Sequence, residues 1–230
     1  MTTKKIAIFD IDGTIFRKNL HFELISELVW LKIFSQSVKK ELVRLYSNWL
    51  EHRGTYESYR DALVNLYAKQ IKGCSIKDVI LASKNVVPFH KNRTYVFAEK
   101  LIARLRKDNY HIIAVSGSPI EIVKEFNRLH LKFDEVFGTV YETNKQKIYT
   151  GKERFAPVRN KGQLIKQYVF ENDLDLDDSY GVGDTESDAG FLDLVDNPIA
   201  FNPNYNLKKI AEKNNWKIIV EKKDVIYEIK

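Results

Sequence analysis

Apolar and polar positions follow two distinct rhythms along the chain. Lys4-Lys5-Ile6-Ala7-Ile8-Phe9-Asp10 is a short apolar run that stops at once on acidic and glycine residues. It predicts a buried strand, because a helix does not end after so few residues. From about Asn19 to Ser83 the spacing becomes helical. Leu42, Leu45, Tyr46 and Trp49 fall at i, i+3, i+4 and i+7, and Tyr59, Leu63 and Leu66 repeat the pattern with one gap. Breaks at Ser35-Gln36-Ser37, Arg53-Gly54-Thr55 and Lys72-Gly73 divide this block into four helices joined by short turns.

Past Val87-Pro88 the two rhythms alternate. The pattern predicts a helix over 93–108, a strand over 110–115, a helix over 118–129 and a strand pair, 133–141 with 147–150, around a polar turn at Asn144. A helix over 161–170, a strand over 179–182, a helix over 186–195 and a short strand over 199–201 follow. The tail adds a helix over 207–213 and a strand pair, 217–220 with 225–229. Strands alternating with helices predict an α/β fold, a doubly wound parallel sheet covered on both faces. The all-helical block is then an insertion: residues 1–16 and 88–230 form a Rossmann-like core, and residues 17–87 an inserted helical cap.

Composition narrows the class. With 44% hydrophobic and 30% charged residues among 230, the chain is an ordinary globular protein and neither disordered nor collagen-like. The most apolar stretch, Leu28 to Phe34, is short and interrupted by Lys32, so no membrane span is predicted. The apolar run after Lys4-Lys5 meets Asp10 too early for a secretory leader. The single cysteine, Cys74, makes no intramolecular disulfide, and no Cys/His cluster suggests zinc. These features together point to the cytoplasm. Lysine and arginine number 37 against 31 aspartates and glutamates, a net +6, but spread over the chain without a block of five. That distribution reads as a solvated surface, and nucleic acid is not the expected partner.

Three strand ends carry candidate chemistry. Asp10-Ile11-Asp12-Gly13-Thr14 follows the first strand, and in open α/β sheets ligands sit beyond the carboxyl ends of strands. Two carboxylates straddling such a turn can divide the work of nucleophile and acid/base, while Gly13 permits the turn and the Thr14 hydroxyl can tie it down. A plain turn fits these residues too. An EF-hand does not, since its twelfth position is His21 rather than Glu.

Ser116-Gly117-Ser118-Pro119 ends another strand and opens a helix, so free N–H groups and the Ser116 hydroxyl make an anion site or an ordinary helix cap. Tyr180-Gly181-Val182-Gly183-Asp184-Thr185-Glu186-Ser187-Asp188 releases two aspartates four residues apart. Asp184 can complete an oxygen site for magnesium with Asp10, supported by Asp188 one turn further on; simple capping is the other reading. The third glycine of a dinucleotide fingerprint is missing. Lys161, at a loop-to-helix junction, can neutralise phosphate and carboxylate charge or be a surface lysine.

Taken in order, Asp10 to Thr14, Ser116, Lys161 and Gly183 to Asp188 resemble the four motifs of the haloacid dehalogenase-like superfamily. The helical insertion, the Ser-Gly-Ser-Pro sequence and Asp196 to Pro203 are similar to its phosphoserine-phosphatase-like branch, subfamily IB. The resemblance implies a magnesium-dependent phosphatase acting on a small phosphorylated metabolite. In it Asp10 is the nucleophile that becomes an aspartyl-phosphate, and Asp12 the general acid and base. Mg2+ is bound by Asp10, the main-chain carbonyl of Asp12 and Asp184, with Asp188 in support. Thr14, Ser116, Gly117 and Lys161 hold the phosphoryl group.

The branch places a glutamate nine residues after the nucleophile to read the substrate amine. Here Asn19 stands there, with Glu23 four residues on, and its Gly-Asp-Gly-x-Asn-Asp is Gly-Asp-Thr-Glu-Ser-Asp. The resemblance therefore implies the chemistry and leaves the substrate open among phosphoserine, phosphoethanolamine, phosphocholine and histidinol phosphate. A phosphotransferase with a non-water acceptor, and a phosphate- or RNA-binding module without turnover, are the competing readings. In the cap, Arg44, Arg53 and Arg60 can each reach a substrate anion or solvate a helix face. Phe22, Trp30, Phe34, Tyr46, Trp49, Tyr56 and Tyr59 read mostly as core, with a few available to line a pocket for a cationic or aromatic leaving group. His21 and His90 read as structural.

Overall fold

The first strand buries alternate residues on opposite sides, and it becomes the middle of the sheet. The structure is a computed structural model that describes residues 4–229. Its strands are β1 (Lys4–Phe9), β2 (His111–Pro119), β3 (Glu135–Thr143), β4 (Tyr149–Phe155), β5 (Leu174–Gly183), β6 (Asn197–Phe201), β7 (Lys217–Lys222) and β8 (Val225–Ile229). They lie in the order β4-β3-β2-β1-β5-β6-β7-β8. The six inner strands are parallel, while β4 and β8 pair antiparallel at the two edges. Ile8 stands between Ile113 of β2 and Gly181 of β5.

Because side chains alternate along a strand, the sheet builds two cores. Ala7, Phe9, Ile112, Ala114 and Phe201 face one, and Ile6, Ile8, Ile113, Val115 and Ala200 the other. The second core is closed by α7 (Lys161–Glu171), α8 (Ala189–Leu192) and α9 (Tyr205–Lys213), through Ile165, Phe191 and Leu207. The first is covered by α5 (Val96–Lys107) and α6 (Ile120–Phe126), and it runs on without a break into the four inserted helices.

Those helices are α1 (Leu20–Trp30), α2 (Gln36–Leu50), α3 (Tyr56–Ile71) and α4 (Ile76–His90), divided at the three breaks that the sequence predicts. Side chains start three of them. Asn19 accepts from the Phe22 N–H, Thr55 from the Ser58 N–H, and Ser75 forms a reciprocal capping box with Asp78. The chain enters and leaves the insertion side by side: Tyr95 N–H donates to the Ile15 carbonyl and Arg17 N–H to that of Arg93, both at 2.9 Å.

Several elements differ from the sequence pattern. α4 continues through Pro88 to His90, although the proline has no N–H to donate to the carbonyl of Lys84 one turn back. The helix expected over 118–129 is α6 followed by a π-helical turn, Asn127–Leu131, and that expected over 186–195 is a 3-10 turn followed by four residues of α8. Trp30, expected in the core, is 79% exposed. Among the described residues no helix is long and apolar enough to cross a membrane.

Candidate active site

β1 and β5 are parallel neighbours, and the direction of strand succession reverses between them. Asp10 and Asp184, the first residues past each strand, therefore emerge at the same switch-point crevice. The turn after Asp10 is held by main chain. Thr14, Ile15 and Phe16 N–H groups all donate to the Ile11 carbonyl, and Gly13 N–H donates to that of Phe16. The Thr14 hydroxyl, expected to tie the turn, is buried without a hydrogen-bond partner, and the residue is fully enclosed rather than on the cavity wall. Gly13 has φ +93°, and a Cβ on it would lie 2.1 Å from Asp184 Oδ2. Only glycine lets these two loops touch.

Asp12 is gripped from three directions. Its Oδ1 accepts the Leu20 N–H at 2.6 Å, and its Oδ2 accepts the hydroxyls of Ser116 at 2.7 Å and Ser118 at 2.8 Å. Ser116 also accepts the Ser118 N–H at 2.9 Å, so both serines of the Ser-Gly-Ser-Pro turn serve Asp12, while Gly117 lines the cavity beside them. Ser118 was not singled out from the sequence, although it lies in the same motif.

Lys161 opens α7 behind the Asn160 cap, and it is 2% exposed. Its ammonium donates to Asp10 Oδ1 and Asp188 Oδ1, each at 2.6 Å, and to the Val115 carbonyl at 3.0 Å. Asp188 Oδ2 accepts the N–H groups of Asp184 and Thr185 at 3.0 Å. A Cβ on Gly183 would sit 2.4 Å from that of Asp188, so glycine there lets Asp188 close over the strand end.

One carboxylate oxygen from each of Asp10, Asp184 and Asp188 lies within 4.8 Å of the others. Both Asp188 oxygens are engaged by Lys161 and the two amides, whereas Asp10 Oδ2 is buried without any partner. Burial pushes the Asp10 carboxyl up to about 7, with Lys161 opposing and Asp188 and Asp12 adding to the rise. Burial, then Asp10 and Asp188, hold Asp184 well above the usual range. Burial raises Asp12 as well, against its Leu20, Ser116 and Ser118 donors. Lys161 is raised although burial opposes it, because Asp10 and Asp188 prevail. Crowded, dehydrated carboxylates with an orphaned oxygen fit a hard divalent cation, which takes oxygen ligands of this kind.

Asp10, Asp12, Lys161 and Asp184 open into a cavity of about 480 Å3. The insertion supplies part of its wall, through Asn19, His21, Tyr56 and Arg60. Of the three cap arginines, Arg60 reaches it; Arg44 and Arg53 are exposed and paired with Glu41 and Glu51. Burial, followed by Asp184, Asp12 and Asp10, holds the Tyr56 phenol well above its ordinary range. Tyr56 thus stays protonated beside the aspartates. The sequence groups it with cap rings that read mostly as core and of which a few can line a pocket; the signal that could single it out is its place directly after the Thr55 cap. Arg159, outside the insertion, also lines this cavity and carried no sequence signal.

Residues 7–193 match the haloacid dehalogenase-like hydrolase family. A histidinol-phosphatase of Neisseria meningitidis serogroup C (strain 8013) is 23% identical over 229 residues, covering 94% of this chain and 98% of the relative. A phosphoserine phosphatase of Methanocaldococcus jannaschii is 24% identical over 223 residues, covering 96% and 94%. Among solved structures, a protein of unknown function from Bordetella pertussis Tohama I superposes with a TM-score of 0.76 at 18% identity, covering 94% of this chain and 98% of that one. A phospho-aspartyl intermediate analogue of phosphoserine phosphatase superposes with a TM-score of 0.65 at 23% identity, covering 97% and 96%. These likenesses show a Rossmann-like core with a cap.

Proposed function

The chain belongs to the haloacid dehalogenase-like hydrolases, and from that premise we propose that it is a magnesium-dependent phosphatase of a small phosphorylated metabolite, with residues 17–87 as the cap over its site. The observation that carries this reading is the meeting of Asp10, Asp12, Lys161 and Asp184 in one cavity at the ends of β1 and β5. The phosphatases among its relatives support it.

The Asp10 carboxylate attacks phosphorus in line, forming an aspartyl-phosphate as the bond from phosphorus to the leaving oxygen breaks. Asp12 gives that oxygen its proton, so the alcohol departs neutral. Asp12, now a carboxylate, takes a proton from the water that cleaves the aspartyl-phosphate, and inorganic phosphate leaves with Asp10 and Asp12 restored. The Leu20 N–H holds Asp12 in place throughout. Ser116 and Ser118 hydroxyls can donate or accept, so Asp12 gains and loses its proton without turning. Lys161 fixes Asp10 and balances part of the charge of three aspartates. Asp10, Asp184 and the Asp12 main-chain carbonyl would hold Mg2+, which when bound neutralises charge between carboxylate and phosphate. Asp188 keeps Lys161 and the Asp184 loop in position.

The test is phosphate release from a panel of phosphomonoesters, with magnesium and with chelator, beside Asp10→Asn. Selective, magnesium-dependent release that disappears in the variant is expected. Undiminished release from Asp10→Asn overturns the nucleophile assignment. Transfer to added alcohols instead of water identifies a phosphotransferase. Silence across the panel together with steeply salt-dependent RNA retention on filters identifies a binding module.

A further inference from the structure

A cavity of about 560 Å3 shares no lining residue with the one that holds Asp10. One wall is α5, where Phe97, Lys100, Leu101 and Arg104 fall at i, i+3, i+4 and i+7 on one helical face. The other wall is the sheet, through Tyr180 of β5, Ile199 of β6, Lys217 of β7 and Ile226 of β8. Asn197 and Lys217, also on the wall, are the first residues of β6 and β7, so the cavity reaches the strand starts. Asp10 and Asp184 stand past the strand ends. Tyr180 precedes Asp184 by four residues, about 13 Å of extended strand.

Charge on this wall is one-sided. Lys100, Arg104 and Lys217 face a single lining carboxylate, Asp196, whose Oδ2 already accepts the Asp178 N–H at 2.7 Å. Lys217 is paired with Glu228 at 2.8 Å, both on exposed side chains. Lys100 and Arg104, one turn apart, have neither an ion pair nor a side-chain hydrogen bond among the described residues. Arg44, Arg53, Arg128 and Arg159, by contrast, all have carboxylate partners. The Arg104 guanidinium lies 5.3 Å over the Tyr180 ring, a contact that occupies none of its N–H donors. Packing holds the rings of the wall in place: Phe97 is stacked on Phe201 at 5.2 Å, and Tyr110 meets Tyr180 edge-on at 5.8 Å.

An apolar guest would cover Lys100 and Arg104 without pairing them, and a cation would meet them directly. A small inorganic anion satisfies the charge but leaves Phe97, Tyr180 and Ile226 facing water. We infer that this cavity binds a small aromatic anion, its flat body between α5 and the sheet and its anionic head on Lys100 and Arg104. The planar fork of an arginine fits a carboxylate, phosphate or sulfonate alike, so the shared feature is an oxyanion joined to a ring. The inference goes beyond the phosphatase reading and does not depend on it, since none of the residues that carry that reading lines this cavity.

Naphthalene-2-sulfonate and naphthalene-2-sulfonamide have the same ring and differ in charge, so calorimetric titration with each reads the cavity directly. Methanesulfonate carries the same head without the ring, and naphthalene-2-carboxylate the same ring with another head. Naphthalene-2-sulfonate is expected to bind roughly tenfold or more tightly than the sulfonamide, and than methanesulfonate by a similar factor. The carboxylate should behave like the sulfonate. Lys100→Gln combined with Arg104→Gln, both at exposed side chains, brings the ratio of sulfonate to sulfonamide close to one and keeps the wild-type melting temperature. Lys107→Gln, at an exposed lysine of the same helix that is not on the wall, leaves the ratio unchanged. Equal affinity for sulfonate and sulfonamide, a ratio indifferent to the double variant, or methanesulfonate binding as tightly as the naphthalene compound overturns the inference. Sulfonate binding that inorganic phosphate with magnesium displaces, and that the double variant retains, belongs to the Asp10 cavity and overturns it as well. Selective binding that depends on Lys100 and Arg104, in a protein that hydrolyses no phosphomonoester, keeps this site and sinks the phosphatase.

Discussion

Gly13 combines a backbone conformation that side chains avoid with a contact that leaves no room for one. In Gly13→Ala the left-handed conformation costs about 1–2 kcal/mol, and the new methyl group displaces the Asp184 carboxylate. Turnover should fall by about a hundredfold or more, and magnesium should no longer raise the melting temperature. A variant that keeps both would show that Asp184 tolerates displacement. His21 acts on stability instead. It is 3% exposed, its Nε2 has no partner, and burial pushes it down from 6.5 to about 3. A lowered value means that the unfolded chain takes up the proton first, so this stability is intact above pH 6.5 and lost as pH falls toward 3. Between pH 7 and pH 5 the protein should lose about 2 kcal/mol through His21 alone. Urea titrations of wild type and His21→Phe at both pH values isolate that loss as the difference between the two proteins. The aspartates and Lys161 were legible because each sits at a strand end or helix start, where a change of hydrophobic rhythm marks the place. Tyr56 and Arg60 were legible only as members of longer sets of cap rings and arginines, because a helical period gives neighbours on one face and says nothing of which site that face covers.

Elements borrow from one another what their own sequence lacks. Tyr95, at the start of α5, offers no side-chain cap. The cap comes from β7, where the Glu221 carboxylate accepts the Val96 N–H at 3.1 Å and the Phe97 N–H at 2.8 Å, and pairs with Arg17. Glu221 is 6% exposed, so Glu221→Ala removes two charged hydrogen bonds and leaves two amides at the helix start unpaired. A loss of about 3 kcal/mol is expected, seen as a lower urea midpoint at unchanged slope. Arg17→Ala, whose side chain is 35% exposed, should cost less, about 1 kcal/mol. A smaller loss from Glu221→Ala than from Arg17→Ala would remove the capping role. No local signal announces such a cap, since it joins residues more than a hundred positions apart. The same limit applies to β5. Its first residues, Leu174-Asp175, lie ahead of the strand predicted over 179–182, yet they pair with Lys4-Lys5 beside them in the sheet. The parallel sheet covered on both faces, in contrast, follows from alternating rhythms that survive without tertiary information.

At the scale of the whole molecule, the insertion is unevenly attached. α1 buries seven of its eleven residues and α2 two of its fifteen. All four helices share the hydrophobic core with α6, but α2 enters it with only Val38 and Leu42 buried, and α2 and the start of α3 turn an aromatic face toward the cavities beside Asp184. Tyr56 and Arg60 of α3 line the cavity that holds Asp10, so a movement of the insertion would change access to it. Opening as one body would tear α1 and α4 from α6 and expose Leu24, Leu28 and Val86, at about 2 kcal/mol for each fully exposed side chain. Moving α2 and the start of α3 alone exposes far less apolar surface, and local opening follows the cheapest route. Amide hydrogen exchange should therefore show α2 opening at a free energy at least about 2 kcal/mol below that of α1, with α1 and α4 protected like β1. Inorganic phosphate with magnesium should slow exchange at Tyr56 to Arg60 and leave α4 as it was. Equal protection of all four helices would mean that the insertion moves as one piece, and the unequal burial of its helices would then have no part in admitting substrate.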